Sequence, residues 1–258
     1  MVLAASAPNN PVAPPAHAVP FLGPEVAAEY DQARVVLLPI PYEATTTYRQ
    51  GCENGPDALL SASQQVEFYD DECDREFWPV GIWTHGAIAD TRGDRAVSSE
   101  AMLRATQEAT ARLIADHKFV VALGGEHSIT AGVVAAYREA NPNEPFTVVQ
   151  IDAHGDLRDR YEGSIHNHAC VMRRIVDWGL PTLQVGIRSV CSEEAMLIRT
   201  TPDIHIVWAR DIAVHPNWIE RAIAAIPTRK VFLTIDLDGI DPSLMPGVGT
   251  PEPGGLSW

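Results

Sequence analysis

Seven short apolar runs, separated by longer segments of mixed polarity, constrain this chain more than any other feature. They are RVVLLPI (34–40), PVGIW (79–83), KFVVAL (118–123), FTVVQI (146–151), TLQVGI (182–187), IHIVW (204–208) and KVFLTI (230–235). Most lack the strict alternation of a half-exposed strand, so they read as strands of a parallel sheet covered on both faces. Parallel strands need crossover connections, usually helical, and helical stretches fit at Ser98 to Asp116, Ser192 to Thr200 and His215 to Ala225. No linker-like stretch interrupts residues 34–235. The expected architecture is one α/β domain over residues 34–258, three αβα layers around a mainly parallel central sheet, behind a flexible Ala/Pro-rich lead-in at 1–33.

Composition narrows the partners. Hydrophobic residues make up 46% and charged residues 21%, which excludes a disordered chain and a small disulfide scaffold. Acidic residues outnumber basic ones by 34 to 19, for a formal charge of −15, and Lys118 and Lys230 are the only lysines. Such a field repels phosphate backbones and anionic lipid, so no nucleic-acid or membrane partner is expected, and it favours cationic substrates and metal ions. Cys52, Cys73, Cys170 and Cys191 lie far apart without a CxxC pair, as in reduced thiols of a cytoplasmic protein. No apolar run approaches the ~18 residues of a membrane span, and the opening lacks the basic start of a signal peptide.

Four motifs follow strand candidates: GGEHS (124–128), DAHGD (152–156), HNH (166–168) and DLDGID (236–241). Loops beyond the carboxyl ends of parallel strands converge on one crevice, which gathers His127, Asp152, His154, Asp156, Asp236 and Asp238. Carboxylates crowded together either take up protons or admit cations. Two imidazoles and four carboxylates without placed thiolates suit a pair of borderline-hard ions such as Mn²⁺ better than a structural zinc. Paired ions make a nucleophile of water at neutral pH, which points to hydrolysis of a poor electrophile.

Taken singly, each motif has a plainer reading. DAHGD could be an Asp/Gly turn, and His127 a satisfied histidine near a helix start, with Glu126 favourable there. DLDGID resembles part of a calcium loop but lacks its spacing and terminal Glu. Their arrival after three separate strands favours the metal reading. Gly124-Gly125 belongs to neither a GxGxxG nor a GK[ST] motif, so close backbone packing under the site is expected rather than a nucleotide cofactor. His166 and His168 would point the same way on an extended segment, and one of them could move protons near pH 7; spacing does not separate them.

With GGEHS, DAHGDLRD and DLDGIDPS in this order, the chain closely resembles the ureohydrolase family of arginases and agmatinases, from PIPYEATTTYRQGCENGP (39–56) to PEPGG (251–255). The resemblance implies two Mn²⁺ per chain, one bound by His127, Asp152, Asp156 and Asp236, the other by Asp152, His154, Asp236 and Asp238. It implies attack of metal-activated water on a guanidinium carbon, with collapse to urea and an amine. Asp156 would orient the water and His168 would carry the proton for the leaving amine. A small cationic guanidino substrate and a homo-oligomer, trimer or hexamer, are further implications.

Arginases carry an Asp where Cys191 stands in GIRSVC (186–191), and the wording of YEATTTYRQGCENGP and HACVMRR (168–174) looks more like the agmatinase branch. The expected reaction is therefore agmatine to putrescine and urea. Guanidinobutyrate, free guanidine or arginine would serve the same metal chemistry. Outside it stand a non-catalytic metal-binding relative and a single-zinc deacetylase of related architecture, separable by ion count. The chain closes on the Pro/Gly-rich PEPGGLSW, where members of the family continue into a last strand, its helices and a guanidinium-binding Glu. A domain lacking its C-terminal end is the expectation.

Overall fold

The computed structural model describes residues 15–93 and 95–258. Its strands are β1 (Val35–Ile40), β2 (Tyr69–Asp70), β3 (Arg75–Glu76), β4 (Ile82–Thr84), β5 (Phe119–Gly124), β6 (Phe146–Ile151), β7 (Thr182–Ile187), β8 (Ile204–Trp208) and β9 (Lys230–Ile235). The helices are α1 (Gly55–Ser63), α2 (Ser99–Ala115), α3 (Ile129–Ala140), α4 (Val171–Asp177), α5 (Ser192–Thr200), α6 (Ala209–Ile212) and α7 (Trp218–Ala224). Two parallel sheets, ordered β4-β1-β5 and β8-β7-β6-β9, form the middle of a three-layer α/β/α fold, and β2 and β3 make a small antiparallel pair.

The continuous apolar runs explain the sheets. In β7 every residue is buried, and in β1 all but the first, as parallel strands covered on both faces require. One core cluster gathers Val36, Leu38 and Ile40 of β1 with Met102 and Leu113 of α2 and Val133 of α3. A second joins Val134 of α3 to Val148 of β6 and Met172 and Ile175 of α4. Helix α3 thus packs against both sheets. It also lies on α2, where a β-carbon at Gly132 would meet Thr106 Cβ at 2.8 Å and Leu103 O at 3.0 Å. Only a glycine admits so close a crossing.

At the edge of its sheet, β9 sends Phe232 to the core, its ring 6.0 Å from that of Tyr137, and leaves Val231, Leu233 and Ile235 exposed on the opposite face. Of the expected lead-in, residues 1–14 lie outside the described residues. From there on the segment lies against the fold: Ala16 bridges His85, and Tyr30 is buried with its ring against Trp83. Among the described residues no helix is long and apolar enough to cross a membrane. All four cysteines are unpaired.

Candidate metal centre

Three strand ends deliver the candidate ligands. The turn from β5 into α3 carries Glu126 and His127, the loop after β6 carries Asp152, His154 and Asp156, and the 3-10 turn after β9 carries Asp236 and Asp238. The β-ladder continues into the site, since the amide of Asp152 donates to Val185 O and that of Asp236 to Ile151 O. Gly239 makes the approach possible: a β-carbon there would sit 2.8 Å from Asp152 N. The DLDG turn therefore needs its glycine for contact with the neighbouring loop.

Five of the six expected ligands form two groups whose donor atoms converge, His127 with Asp152 and Asp156, and Asp152 with His154 and Asp238. Asp152 belongs to both. His127 Nδ1 lies 3.1 Å from Asp152 Oδ2, 2.9 Å from Asp156 Oδ2 and 3.9 Å from Asp236 Oδ2, which sets the sixth beside the first group. His154 Nδ1 lies 3.0 Å from Asp238 Oδ2 and 3.7 Å from Asp152 Oδ1.

The electrostatics of the cluster favour cations. Burial, and then the charge of Asp152, raises the carboxyl of Asp156 above its ordinary range. Burial, with Asp152 and Asp238 close by, pushes Asp236 up to about 8. The imidazoles shift the other way from what burial favours. Hydrogen bonds to Asp152 and Asp238 overcome desolvation and push His154 up to about 11, and Asp152 and Asp156 likewise raise His127. Burial opposes charge on Asp152 as well, yet His127 and His154 hold it below the usual carboxylate range. The raised carboxyls and raised imidazoles alike mark a surplus of negative charge, which divalent cations would balance with the same donor atoms.

The supporting bonds fit metal ligation. His127 Nε2 faces Thr234 Oγ1 at 3.0 Å, and a proton on Nε2 leaves the Nδ1 lone pair directed at the carboxylates, the arrangement that metal-binding histidines use. Gln150 Nε2 donates to Asp152 Oδ2 at 2.7 Å, and Gln184 beside it donates to Gly155 O at 2.7 Å. Both glutamines are fully buried. Glu194, at the start of α5, accepts from Leu157 N at 2.9 Å and from Cys191 N at 2.7 Å. Asp156 has a left-handed backbone, φ 52°, and its carbonyl accepts from Met172 N and Arg173 N at the start of α4. Arg188 ties the acidic turn to the segment that follows by donating to Asp238 O at 2.6 Å and Glu252 O at 2.8 Å.

The HNH segment differs from an extended strand. His168 opens a 3-10 turn capped by Asn167, whose Oδ1 accepts from Ala169 N at 3.0 Å. The two histidines consequently part. His168 meets Thr45, with its ring edge-on to Tyr161 at 6.4 Å. The buried Nδ1 of His166 has no partner among the described residues.

Sequence reasoning does not find Gln150, Gln184, Thr234 and Arg188 as supports. The first three carry a faint signal, a polar residue inside an otherwise apolar strand close to a ligand or to the strand's end. Arg188 carries none, because its partners are backbone carbonyls, most of them in distant segments.

Imidazoles and carboxylates grouped at the carboxyl ends of parallel strands, able to hold two ions, make this a metal-dependent hydrolase. The chain belongs to the arginase family, whose family model matches residues 33–258. It is 56% identical to the N(1)-aminopropylagmatine ureohydrolase of Synechocystis sp. over 239 residues, 92% of this chain and 78% of that protein. Identity to an N(1)-aminopropylagmatine ureohydrolase of Thermus thermophilus is 36%, over 89% of this chain and 75% of that one. The solved agmatine ureohydrolase of Thermoplasma volcanium is 30% identical and superposes with a TM-score of 0.78, covering 91% of this chain and 77% of its own. Chemistry on guanidino groups is thus the property of the chain's own family, and its likeness extends to relatives acting on agmatine with and without an aminopropyl group.

Proposed function

We propose that the chain hydrolyses the guanidino group of N(1)-aminopropylagmatine to urea and a triamine, using two Mn²⁺. One ion is held by His127, Asp152, Asp156 and Asp236 and the other by Asp152, His154, Asp236 and Asp238. The observation that carries the choice of substrate is the 56% identity to an aminopropylagmatine ureohydrolase over 92% of this chain. Agmatine itself, yielding putrescine, is the second reading, favoured by the likeness to the Thermoplasma agmatine ureohydrolase.

When bound, the ions supply a water of lowered pKa as nucleophile. The protein does the rest. Asp152, shared by both donor groups, fixes their spacing, and Asp156, gripped by the start of α4, aims a carboxylate at the attacking water. The negative crevice holds the guanidinium cation and matches the charge of the reacting centre. As the C–N bond to the tail breaks, the amine nitrogen takes a proton, which His168 delivers from its ring. The subunits are proposed to assemble as a homo-oligomer, a trimer or hexamer, which sedimentation would count.

The test is urea release by the Mn²⁺-reconstituted chain, offered aminopropylagmatine, agmatine, arginine and 4-guanidinobutyrate in parallel. The expected kcat/KM is highest for aminopropylagmatine, by about tenfold over agmatine, the scale that polar recognition of the tail readily reaches. A preference for agmatine selects the second reading. Preference for arginine, or no urea from any of them, overturns both.

A further inference from the structure

The buried carboxylate of Glu126 stands apart from the ligand set. It is 4% exposed and adjoins His127, yet it belongs to neither group of ligands. Its two oxygens are ringed by four donors: Ala44 N at 2.9 Å, Thr45 N at 2.7 Å, Thr45 Oγ1 at 2.5 Å and Ser128 Oγ at 2.6 Å. The loop after β1 is thereby fastened to the turn that presents His127. Thr45 in turn meets His168 twice, its Oγ1 lying 3.0 Å from the backbone N of His168 and 3.2 Å from Nδ1 of the ring.

A hydroxyl has one hydrogen and two lone pairs. At 2.5 Å from Glu126 Oε1, the Thr45 hydrogen is committed to the carboxylate. The backbone N–H of His168 can only donate, so it occupies one lone pair. The remaining lone pair faces His168 Nδ1, and that contact is a hydrogen bond only if Nδ1 carries the proton. A neutral imidazole protonated on Nδ1 has its free lone pair on Nε2.

We propose that Thr45, oriented by Glu126, is a positioning residue that holds His168 as the Nδ1–H tautomer and so makes Nε2 the atom through which protons enter and leave. In this arrangement Glu126 registers the proton-carrying ring against the neighbouring metal ligand. The inference rests on the role given to His168 above, but the tautomer itself does not. The two are therefore measured separately.

The tautomer is read by ¹⁵N NMR of the histidine-labelled chain, metal-free and loaded with diamagnetic Zn²⁺, with His168 identified from the spectrum of His168→Asn. The neutral ring is expected as Nδ1–H in both states. In Thr45→Val it should shift to Nε2–H, with kcat falling about tenfold or more while KM and Mn²⁺ content are held. Thr45→Ser should restore both the tautomer and kcat. An Nε2–H ring in the parent chain, or a Thr45→Val variant that keeps kcat within about twofold, overturns the proposal. If His168→Asn itself releases urea at the parent rate, the role of His168 falls, and the spectrum alone then decides whether Thr45 sets the tautomer.

Discussion

Replacing Gly125 by Ala should be among the most damaging single-methyl additions available to this protein. The amide of Gly125 donates to Ile40 O at 3.2 Å, and the next amide, of Glu126, donates to Tyr42 O at 2.9 Å. A β-carbon on residue 125 would lie 2.1 Å from Tyr42 O, 2.7 Å from Tyr42 N and 2.9 Å from Ile40 O. All three obstacles are backbone, and Tyr42 is fully buried, so relief requires moving the end of β1 by about an ångström. Overpacking typically costs about 1–3 kcal/mol, and a rigid obstacle on several sides places this variant at about 3 kcal/mol or above. At roughly 2–4 °C per kcal/mol for a chain of this size, Tm should drop by roughly 6–12 °C. Mn²⁺ affinity should fall with it, because Glu126 and His127 follow directly. Gly124→Ala is the control: its β-carbon would meet Ile129 Cδ1 at 2.8 Å, a side-chain tip that can rotate away, for a loss of about 1 kcal/mol or less. Thermal melts of the Mn²⁺-loaded variants decide the matter. A Gly125→Ala protein melting within about 2 °C of the parent, or a larger loss for Gly124→Ala, would refute the close-approach reasoning.

Three further outcomes follow from the metal centre. Removing Asp152, which belongs to both donor groups, should abolish binding of both ions, whereas Asp238→Ala should lose one; an Asp152→Ala chain that retains an ion by elemental analysis contradicts the shared-ligand geometry. Thr234→Val deletes the acceptor of His127 Nε2 and should weaken Mn²⁺ binding about 10–100-fold, the usual effect of losing a bond that orients a ligand; an unchanged isotherm would deny Thr234 that role. Asp236 is raised to about 8 and His154 to about 11, so the folded metal-free chain holds protons that the unfolded chain releases. Their stabilisation is complete below the ordinary carboxylate and imidazole ranges and is lost as pH rises through the raised values. Urea melts of metal-free protein should therefore show stability falling between about pH 6.5 and 8, and calorimetry should show protons released as Mn²⁺ binds. Rising metal-free stability over that window would reverse the sign.

Much of the fold is legible because the strands are apolar runs bounded by turn residues. FTVVQI, TLQVGI, IHIVW and KVFLTI coincide with β6, β7, β8 and β9. The run at 79–83 shifts instead: Trp78–Val80 forms a 3-10 turn ending at Gly81, φ 78°, and the strand starts at Ile82. Helix α3 escapes a reading by pattern because ITAGVVAAYREA is rich in β-branched residues and contains a glycine, features that disfavour an isolated helix. Packing on α2 and on both sheets overrides that preference. α1 begins with Gly55-Pro56, which reads as a turn although proline is well tolerated in a first helical turn.

The candidate ligands are legible for a related reason. A side chain just past a parallel strand has its position set by the sheet, so His127, Asp152, His154, Asp156, Asp236 and Asp238 can be placed together from order alone. Their supports cannot. Thr45, Thr234 and Gln184 act through partners that only the folded chain brings near; a lone polar residue in an apolar strand hints at the last two, and nothing local marks Thr45. The tandem His166 and His168 mislead for a local reason, since the 3-10 turn at His168 removes the two-residue periodicity that would have aligned them.

A centre of two ions sharing Asp152 is tested most directly by an equilibrium titration of the metal-free chain with Mn²⁺. Two ions per chain, with urea release appearing only as the second site fills, is the predicted result. Saturation at one ion per chain, or full turnover with a single ion bound, would contradict it.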